Sequence, residues 1–250
     1  MTSTEHDLSG RRVLVPGGTG TVGTGVVRRY LAAGADVVVP TRTQSRADAF
    51  RQALGGAATD RLHLVVHDYT TFTGAEDLAA QMELNLGGID DVVAPIGGWW
   101  AGKRLWEIDE ADWQNVFVGL ATTHMAVVRA TLPRMRSGGA YTLIVGDSAT
   151  WPVPGSGLVS MEQSAVLMMQ RVLEAELQGE QRVFVLVLGP VSASSDSTGS
   201  DHTVGSLTAE QIGAVAVAAS HSSAAGRTIP VHNQAEVDQA LTFLRVVAVE

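Results

Sequence analysis

Short apolar runs alternate with longer segments of helical periodicity along the chain, and this alternation constrains the fold more than any other feature. Continuous Val and Leu runs bounded by turns are typical of strands buried on both faces of a parallel sheet. Such runs occupy residues 12–15, 35–39, 62–66, 91–94, 141–145, 183–188 and 226–231. Helical patterns lie between them at 23–31, 47–54, 75–84, 110–135, 158–177 and 207–219. The alternation predicts a single α/β domain over residues 1–250, built on a doubly wound parallel sheet of the Rossmann type.

Composition and charge exclude several classes of function. The chain of 250 residues contains no cysteine, which excludes disulfides, thiolate metal sites and a cysteine nucleophile. A net charge of -9 without a basic run argues against nucleic acid as a partner. The histidines show no metal-ligand spacing, so we expect no metal site.

The sequence also bears on where the protein is expected to work. No apolar run approaches the ~20 residues that cross a bilayer. The start, MTSTEHDLSGRR, has no apolar signal core. We therefore expect a soluble, cytoplasmic protein with no membrane partner.

The segment PGGTGTVG follows the first apolar run and opens the first helical pattern. Gly17, Gly20 and Gly23 allow a tight turn, a close approach by a pyrophosphate and close packing of the helix on the sheet. Free N–H groups at the start of the helix would then face the anion. The predicted dinucleotide-binding residues of this turn are Gly17, Thr19, Gly20, Thr21, Val22 and Gly23. The alternative is a tight strand-to-helix turn that binds nothing.

The second strand ends in PTRTQSR, where the ribose of a nicotinamide dinucleotide would lie. NAD-binding proteins carry an acidic residue there, whereas this chain has Arg42, with Arg46 nearby. A guanidinium matches the charge and the geometry of a 2′-phosphate. The sequence therefore predicts NADP(H) as the cofactor. The alternative is that both arginines belong to a solvated face.

Further motifs, met in order, resemble those of the short-chain dehydrogenase/reductase family over almost the whole chain. They are Asp68 after the third strand, Ala94-Pro95-Ile96-Gly97 in place of NNAG, Trp113 at the start of a long helix, and Gly189-Pro190 after the sixth strand. The glycine turn departs from the common TGxxxGxG pattern, because Thr21 stands where that pattern has glycine. The resemblance implies a homodimer or homotetramer. It also implies cofactor contacts from Asp68, Tyr69, Ala94, Pro95, Ile96, Gly97, Pro190 and Val191.

The chain departs from the family at the four residues that carry its chemistry. The expected asparagine falls on Leu120, the serine on Asp147 or Ser148, the tyrosine on Ser160 and the lysine on Ser164. The resemblance implies that the tyrosine protonates the substrate oxygen and that the lysine lowers the tyrosine pKa. An unactivated serine hydroxyl is far too weak an acid for this step. The usual mechanism therefore cannot operate.

Three functions stay open. The first is an NADPH-dependent reductase of a bulky, aromatic carbonyl or imine of the natural-product type, since hydride transfer is the chemistry of the cofactor. Its proton would come from water, from a substrate hydroxyl, or from Asp147 if burial keeps it protonated. Ser148 and Ser160 would hydrogen-bond the developing oxyanion. The alternatives are a redox-silent cyclase or isomerase on the same scaffold and a non-catalytic sensor of the cofactor.

Aromatic residues after the fourth strand indicate a cleft for a small-molecule substrate. In IGGWWAGKRLW, Trp99 and Trp100 follow the cofactor-side loop, and we expect Leu120 and Trp151 beside them. Indole rings offer large flat surfaces to aromatic substrates. The alternative is that the tryptophans are core or subunit-contact residues.

Two ionisable residues and one loop complete the expectations. His124 is predicted to lie on the helix surface, with a proton donor facing the cleft as the alternative. Glu162 is expected to point away from the side of Ser160 and Ser164, since only residues four apart align. Residues 192–206 have almost no large apolar side chains and match the substrate lid of the family, which predicts a flexible loop.

Overall fold

The sheet is as the sequence predicts. The computed structural model describes residues 7–192 and 206–246. Its strands are β1 (Arg12–Leu14), β2 (Asp36–Thr41), β3 (Leu62–Val66), β4 (Asp91–Ala94), β5 (Ala140–Gly146), β6 (Arg182–Leu188) and β7 (Thr228–Val231). They form one parallel sheet of 7 strands in the order β3-β2-β1-β4-β5-β6-β7. This is the doubly wound order, and it confirms the predicted fold class.

Helices cover both faces of the sheet. They are α1 (Thr21–Ala32), α2 (Gln44–Leu54), α3 (Phe72–Leu86), α4 (Glu110–Asp112), α5 (Gly119–Thr131), α6 (Gly157–Leu177), α7 (Ala209–His221) and α8 (Gln234–Val246). The apolar core on one face draws on α1, α2, α7 and α8, and the core on the other face on α3, α5 and α6. Each core buries one face of the sheet, whose inner strands are almost wholly buried and whose edge strands β3 and β7 are partly exposed.

The helices α4 and α5 belong to one continuous helix, Glu110–Arg134, with a π-helical turn at Trp113–Val118. The stretch is long enough to cross a membrane, and its most apolar window has a mean hydropathy of 1.3, although the sequence contains no continuous apolar run of this length. Half of its most apolar window is nevertheless buried inside the fold. Because Ala126 and Val127 pack into the core, a core helix accounts for this composition.

Two parts of the chain differ from expectation or lie beyond it. The helix α8 has no counterpart among the predictions, although its buried residues Val237, Ala240 and Leu244 carry the three-and-four spacing of an amphipathic helix. Most of the predicted flexible loop, residues 193–205, lies outside the described residues. At its two ends, Val191 and Leu207 pair as a parallel bridge.

Candidate functional site

A crevice lies at the carboxyl ends of β1 and β4, where the strand order reverses. Ligands of open α/β sheets bind at such a switch point. The loops after these strands come very close, since a β carbon added to Gly17 would lie 2.4 Å from the carbonyl oxygen of Pro95. Gly17 also has a φ of +83°, which side chains rarely adopt. Only glycine fits this position.

The glycine turn packs tightly against itself at the start of α1. A β carbon on Gly23 would lie 2.4 Å from the carbonyl oxygen of Gly17, so this glycine is required by packing. Gly20 is exposed and would meet only that same oxygen, at 3.3 Å. The side chain of Val22 packs against the core, so only its backbone is free for a ligand.

The amino end of α1 opens onto a cavity of about 540 Å³, called here the helix-end cavity. Its lining includes Thr19, Gly20 and Thr21 from the turn, Ser192, and Thr208-Ala209 at the start of α7. Two helix amino ends therefore face one space, and each carries partial positive charge. Such a space fits a bridging phosphate group.

A second cavity of about 270 Å³, the arginine cavity, lies on the other side of the turn. It brings together many of the predicted cofactor residues. Its lining includes Gly17, Thr19, Gly20, Arg42, Arg46, Tyr69, Pro95, Ile96, Gly97, Leu120 and Thr123. Leu120, predicted as a substrate contact, thus lines the same cavity as these predicted cofactor residues.

The remaining predicted cofactor residues border these cavities. The carboxylate of Asp68 accepts hydrogen bonds from the hydroxyl and the backbone N–H of Thr70, which lower its pKa, and nearby Arg42 lowers it further. Burial raises the pKa of Tyr69, against the effect of a hydrogen bond with the backbone of Gly17. Ala94 ends β4 and is fully buried, so it can offer only its backbone.

The loop after β6 carries the last two predicted cofactor residues. The backbone N–H of Leu207 donates to the carbonyl oxygen of Pro190 at 2.9 Å. That of Ser192 donates back to the carbonyl oxygen of Leu207 at 2.8 Å. Pro190 and Val191 are thereby fixed next to the lining of the helix-end cavity.

The turn after β5 is tied to α6 by a residue that the sequence analysis did not single out. The hydroxyl of Ser148 donates to Oε1 of Gln163 at 2.6 Å, and the N–H of Gly146 donates to the same oxygen at 3.1 Å. Ser148 is buried and Gln163 is half-buried. A neutral carboxamide therefore faces the predicted serine.

Ser160 and Ser164 do not join this group. The hydroxyl of Ser160 donates to the carbonyl oxygen of Ser156, and that of Ser164 to the carbonyl oxygens of Ala149 and Ser160. Both are satisfied by backbone, which corrects the expectation that Ser160 acts beside Ser148. The contact of Gln163 with Ser148 instead puts the lysine position on Gln163.

The position of the family's tyrosine, four residues before the lysine, shifts by the same one residue. Four residues before Gln163 stands Val159, which is buried and has no hydrogen-bonding side chain. In the segment VSMEQS, the tyrosine and lysine positions of the family therefore fall on Val159 and Gln163, one residue before Ser160 and Ser164. The conclusion that this helix carries no phenol and no ammonium is unchanged.

Asp147 does not meet the condition set for a proton donor. Its side chain is 46% exposed rather than buried, and its carboxylate lies 3.2 Å from Nε2 of His232. Nδ1 of the same imidazole lies 2.8 Å from the carboxylate of Glu236 in α8. Through the imidazole of His232, Asp147 thus links the turn after β5 to the start of α8.

His124 and Glu162 form a buried pair between α5 and α6. Their side chains are 1% and 2% exposed, which corrects the surface position expected for His124. Nε2 of His124 lies 3.2 Å from the carbonyl oxygen of Ile96 and 3.6 Å from Oε1 of Glu162. Burial raises the pKa of Glu162 to about 7 and lowers that of His124 to about 4. Glu162 thus faces the interior between α5 and α6.

The tryptophans lie on the segments that follow β4 and β5. Trp99, Trp106 and Trp151 are exposed, Trp99 by 72%, so none of them is a core residue. The hydroxyl of Ser156 donates to the carbonyl oxygen of Trp100 at 2.6 Å, which joins the loop after β4 to the loop before α6.

Comparison with known proteins identifies the family. The family model described as short chain dehydrogenase matches residues 11–203. The chain belongs to the short-chain dehydrogenase family. Members of this family are oxidoreductases that use NAD(H) or NADP(H), and they generally form soluble oligomers that act on small molecules.

Curated relatives of this short-chain dehydrogenase are distant. A short chain dehydrogenase of Pseudocercospora fijiensis is 27% identical over 203 residues, which cover 80% of this chain and 65% of the relative. The cis-2,3-dihydrobiphenyl-2,3-diol dehydrogenase of Paraburkholderia xenovorans is 25% identical over 181 residues, with 70% and 64% covered. The chain thus spans about 65% of the length of such relatives.

Solved structures share the fold. An NADH-dependent reductase described as responsible for alginate metabolism superposes with a TM-score of 0.78 at 18% identity, covering 91% of this chain and 97% of that one. A short chain oxidoreductase of Pseudomonas aeruginosa, described as containing an atypical catalytic center, gives 0.76 at 20% identity, with 92% and 98% covered. At these identities the similarity establishes the fold alone.

Metal chemistry was not expected. Within residues 7–192 and 206–246, no group of three or more His, Asp or Glu side chains is placed to hold an ion.

Proposed function

We propose that this short-chain dehydrogenase is an NADP(H)-dependent reductase of a bulky, aromatic carbonyl or imine, working without the tyrosine and lysine of its family. The arginine cavity carries the proposal. Arg42 and Arg46 lie there with the loop of Pro95, Ile96 and Gly97, in the crevice where the fold binds dinucleotides. Two guanidinium groups at this place match a 2′-phosphate.

The crevice fits a dinucleotide on structural grounds. Gly20 is exposed, and a β carbon there would meet only one protein atom, so the backbone of the turn is open to close approach by a ligand. The amino end of α1 faces the helix-end cavity. When bound, the nicotinamide supplies the hydride. The protein then binds the phosphates, orients the ring and holds the substrate oxygen.

Gln163 is proposed to hold that oxygen, and Ser148 to orient its carboxamide. Oε1 of Gln163 accepts the Ser148 hydroxyl, so the Nε2 amide group of Gln163 is the neutral donor left for a ligand. Neutral donors can stabilise an oxyanion but are too weak as acids to protonate it. The proton is therefore taken from solvent. The structure described as having an atypical catalytic center supports such departures on this fold.

An aromatic substrate is proposed from the tryptophans. Trp99 and Trp151 present large apolar surfaces beside the crevice. The dihydrobiphenyl-diol dehydrogenase among the relatives supports a preference for rings. Natural-product ketones and imines are the class to screen.

A redox-silent cyclase or isomerase is the second candidate. It is favoured by the uncharged Ser148–Gln163 contact, which offers hydrogen bonds without an acid. A substrate converted at equal rates with and without NADPH would establish this candidate over the reductase.

Assembly and location are proposed from the surface. Met161, Met168 and Val172 form an exposed apolar stripe on α6, with Met125 exposed on neighbouring α5. The stripe fits a homodimer or homotetramer of a cytoplasmic protein.

The decisive experiment is a titration of the purified protein with NADPH and, separately, with NADH, followed by nicotinamide fluorescence. We expect saturable binding with a clear preference for NADPH. Binding of neither dinucleotide would overturn the proposed cofactor, and preference for NADH would overturn the assignment of the arginine cavity.

A further inference from the structure

The buried pair of His124 and Glu162 has no place in the chemistry proposed above. Oε1 of Glu162 and Nδ1 of His124 are buried without a hydrogen-bond partner. Burying polar groups unpaired is costly, and such groups call for an explanation. The two side chains come from different helices, so the pair exists only in the folded protein.

Burial disfavours the charged form of both side chains: the pKa of His124 falls to about 4, which leaves it neutral at pH 7, and the pKa of Glu162 rises to about 7, which places its ionisation in the neutral range. Within the described residues, α5 places only His124 against the Glu162 carboxyl, and the end of β4 places only the carbonyl of Ile96 against the imidazole. Burial alone raises the pKa of Glu162, and burial is also the largest influence on His124. No further charged group from a neighbouring element offsets these effects.

The hydrogen position on His124 follows from its partner. A carbonyl oxygen can only accept, so Nε2 carries the hydrogen and donates it to Ile96 at 3.2 Å. Ile96 and Gly97 line the arginine cavity together with Arg42. The segment Ile96–Gly97, called here the Ile96–Gly97 wall, would contact the dinucleotide on its cavity side. On its other side, the imidazole of His124 holds it by this hydrogen bond.

We propose that His124 and Glu162 are positioning residues that fix the Ile96–Gly97 wall, and that proton loss from Glu162 weakens dinucleotide binding. This inference rests on the proposed cofactor. A carboxylate is a stronger acceptor than a carbonyl, and Oε1 of Glu162 lies 3.6 Å from the same Nε2. Ionisation of Glu162 turns the N–H from Ile96 toward the carboxylate, and the wall loses its support.

The test compares NADPH dissociation constants of the wild type and Glu162→Gln between pH 6 and 8. Glutamine imitates the protonated acid at every pH. If only the protonated form binds, the ratio of wild-type to Glu162→Gln dissociation constants rises about tenfold across this range. Taking the ratio cancels titration of the NADPH phosphate, whose own pKa is about 6. A ratio that stays constant with pH overturns the inference.

Two controls separate a local role from a general one. Glu176→Gln, an exposed residue on the same helix, is expected to follow the wild type at every pH. His124→Asn keeps a neutral donor. We expect the ratio of its NADPH dissociation constant to that of Glu162→Gln to stay constant with pH. A His124→Asn protein that keeps the wild-type pH profile would also overturn the inference.

Failure of the cofactor proposal can be recognised independently. Infrared difference spectra of ligand-free wild type against Glu162→Gln report the protonated carboxyl directly, and we expect its band at pH 6 and its loss by pH 8. Hydrogen exchange at Ile96 and Gly97 should quicken over the same range in the wild type alone. If no dinucleotide binds, the proposed function fails. The positioning role is overturned separately if the rates of amide hydrogen exchange at Ile96 and Gly97 in the wild type do not change with pH.

Discussion

Arg42 lies in the arginine cavity, and its charge is the feature that distinguishes NADPH from NADH. Arg42→Ala removes a charged hydrogen-bond donor worth ~1.5–3 kcal/mol, so the dissociation constant of NADPH should rise about 10- to 100-fold. That of NADH should change less than about twofold, since it lacks the phosphate. The control is Arg51→Ala, an exposed arginine on the following helix α2. Equal losses for both dinucleotides would contradict the assignment.

Gln163 accepts hydrogen bonds from both Ser148 and Gly146. Gln163→Leu keeps the size of the side chain and removes both acceptor and donor. Turnover should fall about 100-fold, the usual effect of losing an oxyanion donor, while NADPH affinity stays within about threefold. Ser164→Ala, whose hydroxyl bonds only backbone, should leave steady-state rates close to wild type. Unchanged turnover in Gln163→Leu would remove Gln163 from the site.

The buried pair also makes a prediction for stability against pH. The pKa of Glu162 is raised from 4.5 to about 7, so its contribution to stability falls as pH rises through that window. The pKa of His124 is lowered from 6.5 to about 4, so its contribution rises over nearly the same window. The two effects oppose each other in the wild type, because folding moves a proton from one group to the other.

Single substitutions should expose each effect. Glu162→Gln should lose roughly 2–3 kcal/mol of unfolding free energy between pH 6.5 and 4, and His124→Asn should lose a similar amount from pH 4.5 to 7. Urea midpoints at several pH values measure both trends, relative to the wild type. Parallel pH profiles for all three proteins would show that the pair is charged when buried.

At the scale of elements, the turn into α1 is the most constrained segment. Gly23→Ala places a methyl group 2.4 Å from the Gly17 carbonyl oxygen, which forces the turn or the helix to move. We expect a loss of about 1–3 kcal/mol in unfolding free energy and much weaker dinucleotide binding. Gly56→Ala is the matched control, since nothing lies within 4 Å of the added atom. Denaturant titrations of both variants test the difference, and equal stability would contradict the packing argument.

Helix α6 shows how far local patterns extend. Its bounds could be predicted from the sequence, but which residue faces Ser148 could not. Successive helical residues point about 100° apart, so a shift of one residue exchanges Ser164 for Gln163. A hydrogen bond across the turn after β5, and no feature of the helix alone, settles the choice.

At the scale of the whole molecule, the apolar stripe on α6 makes a prediction about assembly. Met168→Glu introduces a charge at its centre, and we expect the oligomer to dissociate to monomers. Light scattering coupled to size-exclusion chromatography measures the mass. Leu84→Glu replaces an even more exposed apolar residue on α3 and should leave the mass unchanged. A Met168→Glu protein with the wild-type mass would exclude this stripe as the interface.

The sequence by itself determined the sheet, the glycine turn and the loss of the family's tyrosine and lysine. These depend on runs of neighbouring residues, whose periodicity and conformational limits are local. Only the tertiary structure decided that Asp147 is exposed, that Gln163 faces Ser148, and that His124 and Glu162 are buried together. Each of these depends on groups brought together from elements far apart in the chain, and burial and pairing are set by those neighbours.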